Sequence, residues 1–292
     1  MFASPGEIAF RIGYISIYYY GIIMALSLLI GILVSNMICK KYYVEVNSEI
    51  IYDIAPHIVI FAILGARIYY CFFSFEYYSQ NPLEILQLWH GGLSIHGALI
   101  GGLIGGAIYA RRHKLPILKL CDIFSYGLIL GQAIGRWGNF FNSEAFGRPT
   151  ESFLKLYIPI YERPLEYMQY NYFHPTFLYE SILDVFIFLI LFFVIRKIVQ
   201  QSPSNVTLNS VQGRISERPC DAESSSARRR HKDGIVFFSY LILYSIARIL
   251  IEQIRIDSVF NLFGIPIAQI VSFIMLLIGI IGILVIKRSA LR

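Results

Sequence analysis

The sequence predicts an all-α integral membrane protein: a bundle of seven transmembrane helices, N-terminus outside and C-terminus cytoplasmic, with a small outer-face cap loop. Three observations carry that reading. The apolar fraction is 56%, and mean hydropathy is +0.59, whereas soluble domains hold about 45–50% apolar residues. The apolar residues fall into runs of about 20, the length of a membrane-crossing helix, and not into the short alternating segments of a barrel. Lys and Arg gather on alternate loops, which orients the spans. The 21 Tyr and 22 Phe suit aromatic belts at the two interfaces.

The runs lie at roughly 18–39, 54–73, 92–110, 117–140, 175–195, 234–252 and 265–286. No basic stretch or small-residue cleavage site precedes the first, so it reads as a retained span. Lys40 and Lys41 follow the first run. Arg111, Arg112, Lys114 and Lys119 separate the third from the fourth, and Arg196 and Lys197 follow the fifth. Arg228, Arg229, Arg230 and Lys232 precede the sixth, and Lys287, Arg288 and Arg292 follow the seventh. All fall on one side, which is the cytoplasmic one. The third run carries Gly97, Gly101 and Gly105, with Gly102 and Gly106 repeating the spacing. That pattern predicts close helix packing, with room for lipid chains as the alternative.

The whole chain, 1–292, reads as a single transmembrane catalytic domain with two appendages. Residues 142–174 form the outer loop or cap. Residues 201–233, rich in Ser, Arg and Glu, predict a disordered cytoplasmic insert. The sequon at Asn205 falls on that side and should be unused. The net charge of +6 follows the loop asymmetry and points to no nucleic-acid partner. Cys39, Cys71, Cys121 and Cys220 form no CxxC pair, so neither a metal site nor a redox motif is implied.

Four polar groups sit in or beside the apolar runs. The first, Gly135 to Glu144, places Arg136, Asn139, Asn142 and Glu144 at the end of a span. A charge near bilayer depth costs about 2.5–3.5 kcal/mol on insertion scales and marks function by default. If the helix persists, Arg136 and Asn139 share a face, and a guanidinium fork suits a phosphate. The second group is Trp89 to Gly97, in which His96 is a candidate general base and His90 a weaker one. The third, Tyr244, Arg248 and Glu252, shares one helix face, so Arg248 and Glu252 can pair. The fourth runs from His174 through Pro175 to Tyr179 and Glu180, and Glu180 requires a cation such as Arg67 or Arg248. The derived orientation puts all four groups at outer helix ends, which predicts one polar cavity suited to a phosphate ester and to proton transfer beside it.

These residues resemble those of the bacterial prolipoprotein diacylglyceryl transferases. Gly135 to Gly147 is similar to that family's signature, G-R-x-G-N-F-x-N-x-E-x-x-G, along its full length. Tyr19-Tyr20-Gly21, Gly91 to Gly97, His174 to Glu180 and the Tyr244, Arg248, Glu252 face match as well. The resemblance covers nearly all of the chain outside about 201–233. It implies a multi-pass enzyme of the bacterial inner (cytoplasmic) membrane that moves the diacylglyceryl group of phosphatidylglycerol onto the lipobox cysteine of a prolipoprotein signal peptide. It implies catalytic roles for Arg136, Arg248, His96 and Tyr20, and substrate binding by Arg136, Asn139, Asn142, Glu144, Gly147, Tyr244 and Glu252. No cofactor and no metal are implied. A transporter or lipid flippase is the main competing class, but it would usually show internal repeats with broken helices, and no repeat is present.

Overall fold

The computed structural model describes residues 2–88, 91–200, 233–256, 261–262 and 265–289. Its helices are α1 (Tyr19–Tyr42), α2 (Ile50–Phe73), the short α3 (Phe75–Gln80), α4 (Ile95–Arg112), α5 (Ile117–Phe141), α6 (Thr176–Gln200), α7 (Ile235–Glu252) and α8 (Ile267–Ser289). Each apolar run is thus a helix. Six of them (α1, α2, α5, α6, α7 and α8) are long and apolar enough to cross a membrane, which makes this a multi-pass membrane protein. The helix α4 falls outside that set because five glycines and Arg111-Arg112 dilute its apolar character. At 18 residues it is about 27 Å long. His90, the sequon at Asn205 and the insert up to residue 232 lie outside the described residues.

The chain divides into two compact units, Asn36–Leu120 and the combination of Met1–Ser35 with Cys121–Arg292. In the first, α2 and α4 pack backbone to backbone. A Cβ on Gly97 would strike the Gly65 carbonyl, and one on Gly101 would strike the Phe61 carbonyl. Gly105 is equally confined by Phe61, whereas Gly102 and Gly106 have only ordinary contacts with Ile58. The Gly97, Gly101, Gly105 row is therefore the packing ridge that the spacing predicted. Arg67, buried in α2, bonds the loop that leads into α4. Its Nε donates to Ile85 O at 2.9 Å, and its Nη1 donates to Gly91 O at 2.5 Å and Gly92 O at 3.0 Å. Its Nη2 reaches Glu84 O and, at 3.3 Å, Gln87 O. Five backbone carbonyls thus replace the carboxylate that a buried arginine usually needs. The guanidinium is engaged there, so Arg67 is not the partner of Glu180 that the sequence had offered.

In the second unit α5 is the organiser. Gly31 of α1 and Gly127 of α5 approach so closely that a Cβ on Gly31 would lie 2.9 Å from the Gly127 carbonyl. Tyr126 donates to Leu191 O at 3.0 Å and Ala133 O accepts from Ser181 Oγ at 2.8 Å, which fixes α6 against α5. Asp122 accepts from the backbone N–H of Gly234 and of Phe237, both at 2.7 Å. A carboxylate on α5 thereby satisfies the open first turn of α7, a cap supplied from another helix. Gly279 and Gly282 of α8 pack on Ile242 and Phe238 of α7.

Residues 142–174 fold around a small core of Ala145, Phe146, Leu156, Ile158, Phe173 and Phe177. A three-stranded sheet frames it, from β1 (Phe2–Ala3), β4 (Leu156–Tyr157) and β5 (Tyr172–Phe173), with β4 central. Between β1 and α1 lies a hairpin of β2 (Ile8–Ile12) and β3 (Ile15–Tyr18). Apolar periodicity alone does not announce strands this short.

Candidate functional site

The helix α5 does persist through Arg136 and Asn139 to Phe141. What it then holds differs from expectation. Asn139, Asn142 and Glu144 form one group: Nδ2 of each asparagine donates to the Glu144 carboxylate, both at 3.3 Å. Arg136 belongs to another. Its Nε lies 2.6 Å from Glu180 Oε2, and its Nη2 donates to the Tyr244 hydroxyl at 3.4 Å.

Glu180 is the hub of that second group. One turn into α6 and only 5% exposed, it meets Arg136, Arg248 at 2.7 Å and Arg255 at 3.2 Å. Arg248 also reaches Glu252 at 2.9 Å, the i,i+4 pair predicted on α7. Arg248 was a correct candidate for Glu180, and the further partners are Arg136 and Arg255. Asp184, one turn along α6 from Glu180, was not foreseen. It lines a cavity with Arg136, Glu180, Leu183, Tyr244, Ala247, Arg248 and Ile251. The cavity volume is about 10 Å³, at the lower limit for one water molecule. Arg248 meets two carboxylates through its Nη1 and Nη2, whereas Arg136 meets one, and its Nη1 has no partner among the described residues. Arg136 is therefore the guanidinium better placed to donate to an incoming anion.

The backbone after α5 ties three sequence motifs together. Ser143 and Ala145 have φ of 55° and 53°, a left-handed conformation costing roughly 1–2 kcal/mol per non-glycine residue. The turn aims this segment at the starts and ends of other helices. Phe177 N donates to Ala145 O at 3.1 Å, Gly147 N to His174 O at 2.9 Å, and Arg148 N to Ile254 O at 2.9 Å. Thr176 Oγ1 also donates to Ala145 O. The signature, the His174-Pro175-Thr176 start of α6 and the end of α7 are thus joined by main-chain bonds. Gly147 must be glycine here, since a Cβ would lie 2.8 Å from Ile254 Cγ2 and 3.0 Å from Ile254 O.

Tyr20 packs its ring on Gly138, where a Cβ would lie 2.8 Å from Cδ2. His174 Nδ1 lies 3.1 Å from the Tyr179 hydroxyl, an orienting contact at the motif's start. His96 belongs to the other compact unit, where it is exposed and stacks on Tyr69 at 6.0 Å between ring centroids. Among the described residues no cluster of His, Cys, Asp or Glu could hold a metal ion.

Apolar helices bring two arginines, Arg136 and Arg248, and two carboxylates, Glu180 and Asp184, around one small cavity, and charges held among membrane-spanning helices mark a membrane protein with a functional site there. The family description "Prolipoprotein diacylglyceryl transferase" matches residues 7–211 and 222–285, and the chain belongs to that family. A protein of Nostoc sp. named phosphatidylglycerol–prolipoprotein diacylglyceryl transferase is 41% identical over 283 residues, which cover 97% of this chain and 90% of the relative. Proteins of the same name from Synechococcus elongatus and Synechocystis sp. are 42% and 40% identical. They cover 99% and 97% of this chain, and 91% and 89% of their own lengths.

Proposed function

We propose that this chain transfers the sn-1,2-diacylglyceryl group of phosphatidylglycerol to the lipobox cysteine of prolipoproteins, the first step of bacterial lipoprotein maturation. The observation that carries the reading is Arg136, held at the end of α5 by Glu180 with donor capacity left over, within a chain whose relatives bear that activity in their names. The protein sits in the inner (cytoplasmic) membrane with seven spans, α4 being the seventh. Its N-terminus lies outside and its C-terminus in the cytoplasm, the 142–174 segment capping the outer face.

In the reaction the cysteine sulfur attacks the diacylglyceryl carbon that bears the phosphate ester. The S–C bond forms as the C–O bond breaks, and the electron pair leaves with glycerol phosphate. Arg136 and Arg248 neutralise the charge growing on the departing phosphate, a contribution usually worth several kcal/mol. The thiolate is the reactive form of the nucleophile, and the thiol proton passes to a base, the role assigned to His96. Asn139, Asn142, Glu144 and Gly147 bind the headgroup together with Tyr244 and Glu252, and Tyr20 completes the catalytic set. Purified protein mixed with a lipobox peptide and phosphatidylglycerol should yield a peptide heavier by one diacylglyceryl group. Folded protein that gives no such product under any condition would rule the assignment out.

A further inference from the structure

The hairpin of β2 and β3 takes no part in the site described above, and its two faces differ in chemistry. Cross-strand pairing sets Phe10 opposite Ile17, Arg11 opposite Ser16 and Ile12 opposite Ile15. Paired residues point to the same side of a sheet, and neighbours along a strand point to opposite sides. Phe10, Ile12, Ile15 and Ile17 therefore form one face, and Arg11 and Ser16 lie on the other. The apolar face is left open: Phe10 is 51% exposed, and Ile12 and Ile15 are 65% exposed. Among the described residues no third strand joins the pair. A two-stranded hairpin is marginally stable at best in water, and a contiguous exposed apolar patch marks a surface that another body covers.

The roots of the hairpin identify that body. The strand β3 ends at Tyr18 and α1 starts at Tyr19 without a break. Since α1 is long and apolar enough to cross a membrane, the hairpin springs from the bilayer interface at which α1 enters. Its base is fixed there. Tyr19 N donates to Glu7 O at 2.9 Å. The Tyr19 ring stacks on Phe141, the last residue of α5, at 4.2 Å between centroids, and Ser4 Oγ donates to Phe141 O at 2.8 Å. At about 3.3 Å per residue, the four residues of β3 reach about 13 Å from α1. An upright hairpin of that length would pass through a headgroup layer of about 5–8 Å and hold its apolar face in water. Laid flat, it sets that face on the acyl chains. Tyr14, fully exposed at the tip, and Tyr18 are residues that settle at headgroup level. Arg11, on the opposite face, is placed to meet lipid phosphates, the division of faces that holds amphipathic elements in the interface plane.

We propose that the hairpin lies in the plane of the membrane. Its Phe10, Ile12, Ile15 and Ile17 face docks on the acyl chains of the leaflet at which α1 begins, and its Arg11 and Ser16 face turns to headgroups and water. The partner is the lipid surface itself, whatever reaction the polar site performs.

The test uses the full-length protein in vesicles of phosphatidylcholine and phosphatidylglycerol, with Cys39, Cys71, Cys121 and Cys220 replaced by Ala. Arg11→Cys, Ile12→Cys, Ile15→Cys and Ser16→Cys, made one at a time, each carry a polarity-sensitive nitrobenzoxadiazole label. Labels at positions 12 and 15 should emit at shorter wavelength and be quenched more by nitroxides on the acyl chains than by aqueous iodide. Labels at positions 11 and 16 should show the reverse order. Equal iodide quenching at all four positions, or stronger quenching at 12 and 15, overturns the proposal. Protection of 12 and 15 that appears only after a lipobox peptide is added also overturns it, because the face would then be a peptide site. If the cysteine-free protein does not fold, the wild type is irradiated in vesicles holding a phosphatidylcholine with a diazirine in its acyl chain, and then digested. Lipid adducts should map to residues 8–18 as well as to α1, and adducts on α1 with none on residues 8–18 would overturn the proposal.

Discussion

Replacing Glu180 with Gln removes one negative charge from three arginines without changing the shape of the side chain. The N–O separations are 2.6, 2.7 and 3.2 Å, and none of the four side chains is more than 20% exposed. At an effective dielectric of about 20, each contact near 3 Å is worth about 5 kcal/mol of attraction. Desolvation of the four groups offsets most of that sum, and breaking a buried ion pair from one side usually costs about 3–5 kcal/mol. The loss should fall mainly on Arg136, because Arg248 keeps Glu252 while Arg136 keeps only a 3.4 Å contact with Tyr244. With a shift of roughly 2–4 °C per kcal/mol for a chain of this size, the midpoint should drop by about 6–20 °C. The assay is thermal unfolding in detergent, followed by size-exclusion chromatography, beside the peptide-lipidation assay. Glu180→Gln protein with wild-type melting and wild-type transfer would refute the claim that this carboxylate holds Arg136 in place.

Three other outcomes are expected. Arg136→Ala should lower transfer by about 100- to 1,000-fold, the usual effect of removing one charge-stabilising donor; near-normal turnover in a steady-state assay would remove Arg136 from the chemistry. Asp122→Ala, which strips two bonds from the first turn of α7, should cost about 1–2 kcal/mol, read as a lower melting midpoint. Gly101→Ala should destabilise by about 1–3 kcal/mol through overpacking against Phe61, whereas Gly102→Ala, whose Cβ has 3.4 Å from Ile58 Cγ2, should be close to neutral; equal melting of the two variants would contradict the α2–α4 packing.

The helices were legible because bilayer depth imposes long apolar runs, and such runs survive any rearrangement of neighbours. The run read as 117–140 is the helix Ile117–Phe141, and that read as 234–252 is Ile235–Glu252. The α2 helix starts earlier than its run, at Ile50, because Asp53 in its first turn interrupts the apolar pattern. The Arg248–Glu252 pair was legible for the same kind of reason, since i,i+4 spacing on one helix needs no tertiary knowledge. Partners on different helices were not. Proximity in sequence suggested that Asn139, Asn142 and Glu144 surround Arg136, but the rotation of α5 against α6 turns the guanidinium to Glu180 instead. Asp184 escaped notice as a lone acid in an apolar run, although its i,i+4 relation to Glu180 was a usable signal. Arg67 was offered beside Arg248 as a partner of Glu180 because nothing local shows that five carbonyls from residues 84–92 converge on it.

The cap on α7 reaches across 112 residues of sequence, from Asp122 to Gly234. The first turn of α7 is consequently tied to α5 by the two bonds from Gly234 and Phe237. The register of α7 thus waits on a carboxylate synthesised long before it, so the order in which the chain emerges has α5 in place ahead of the helix it caps.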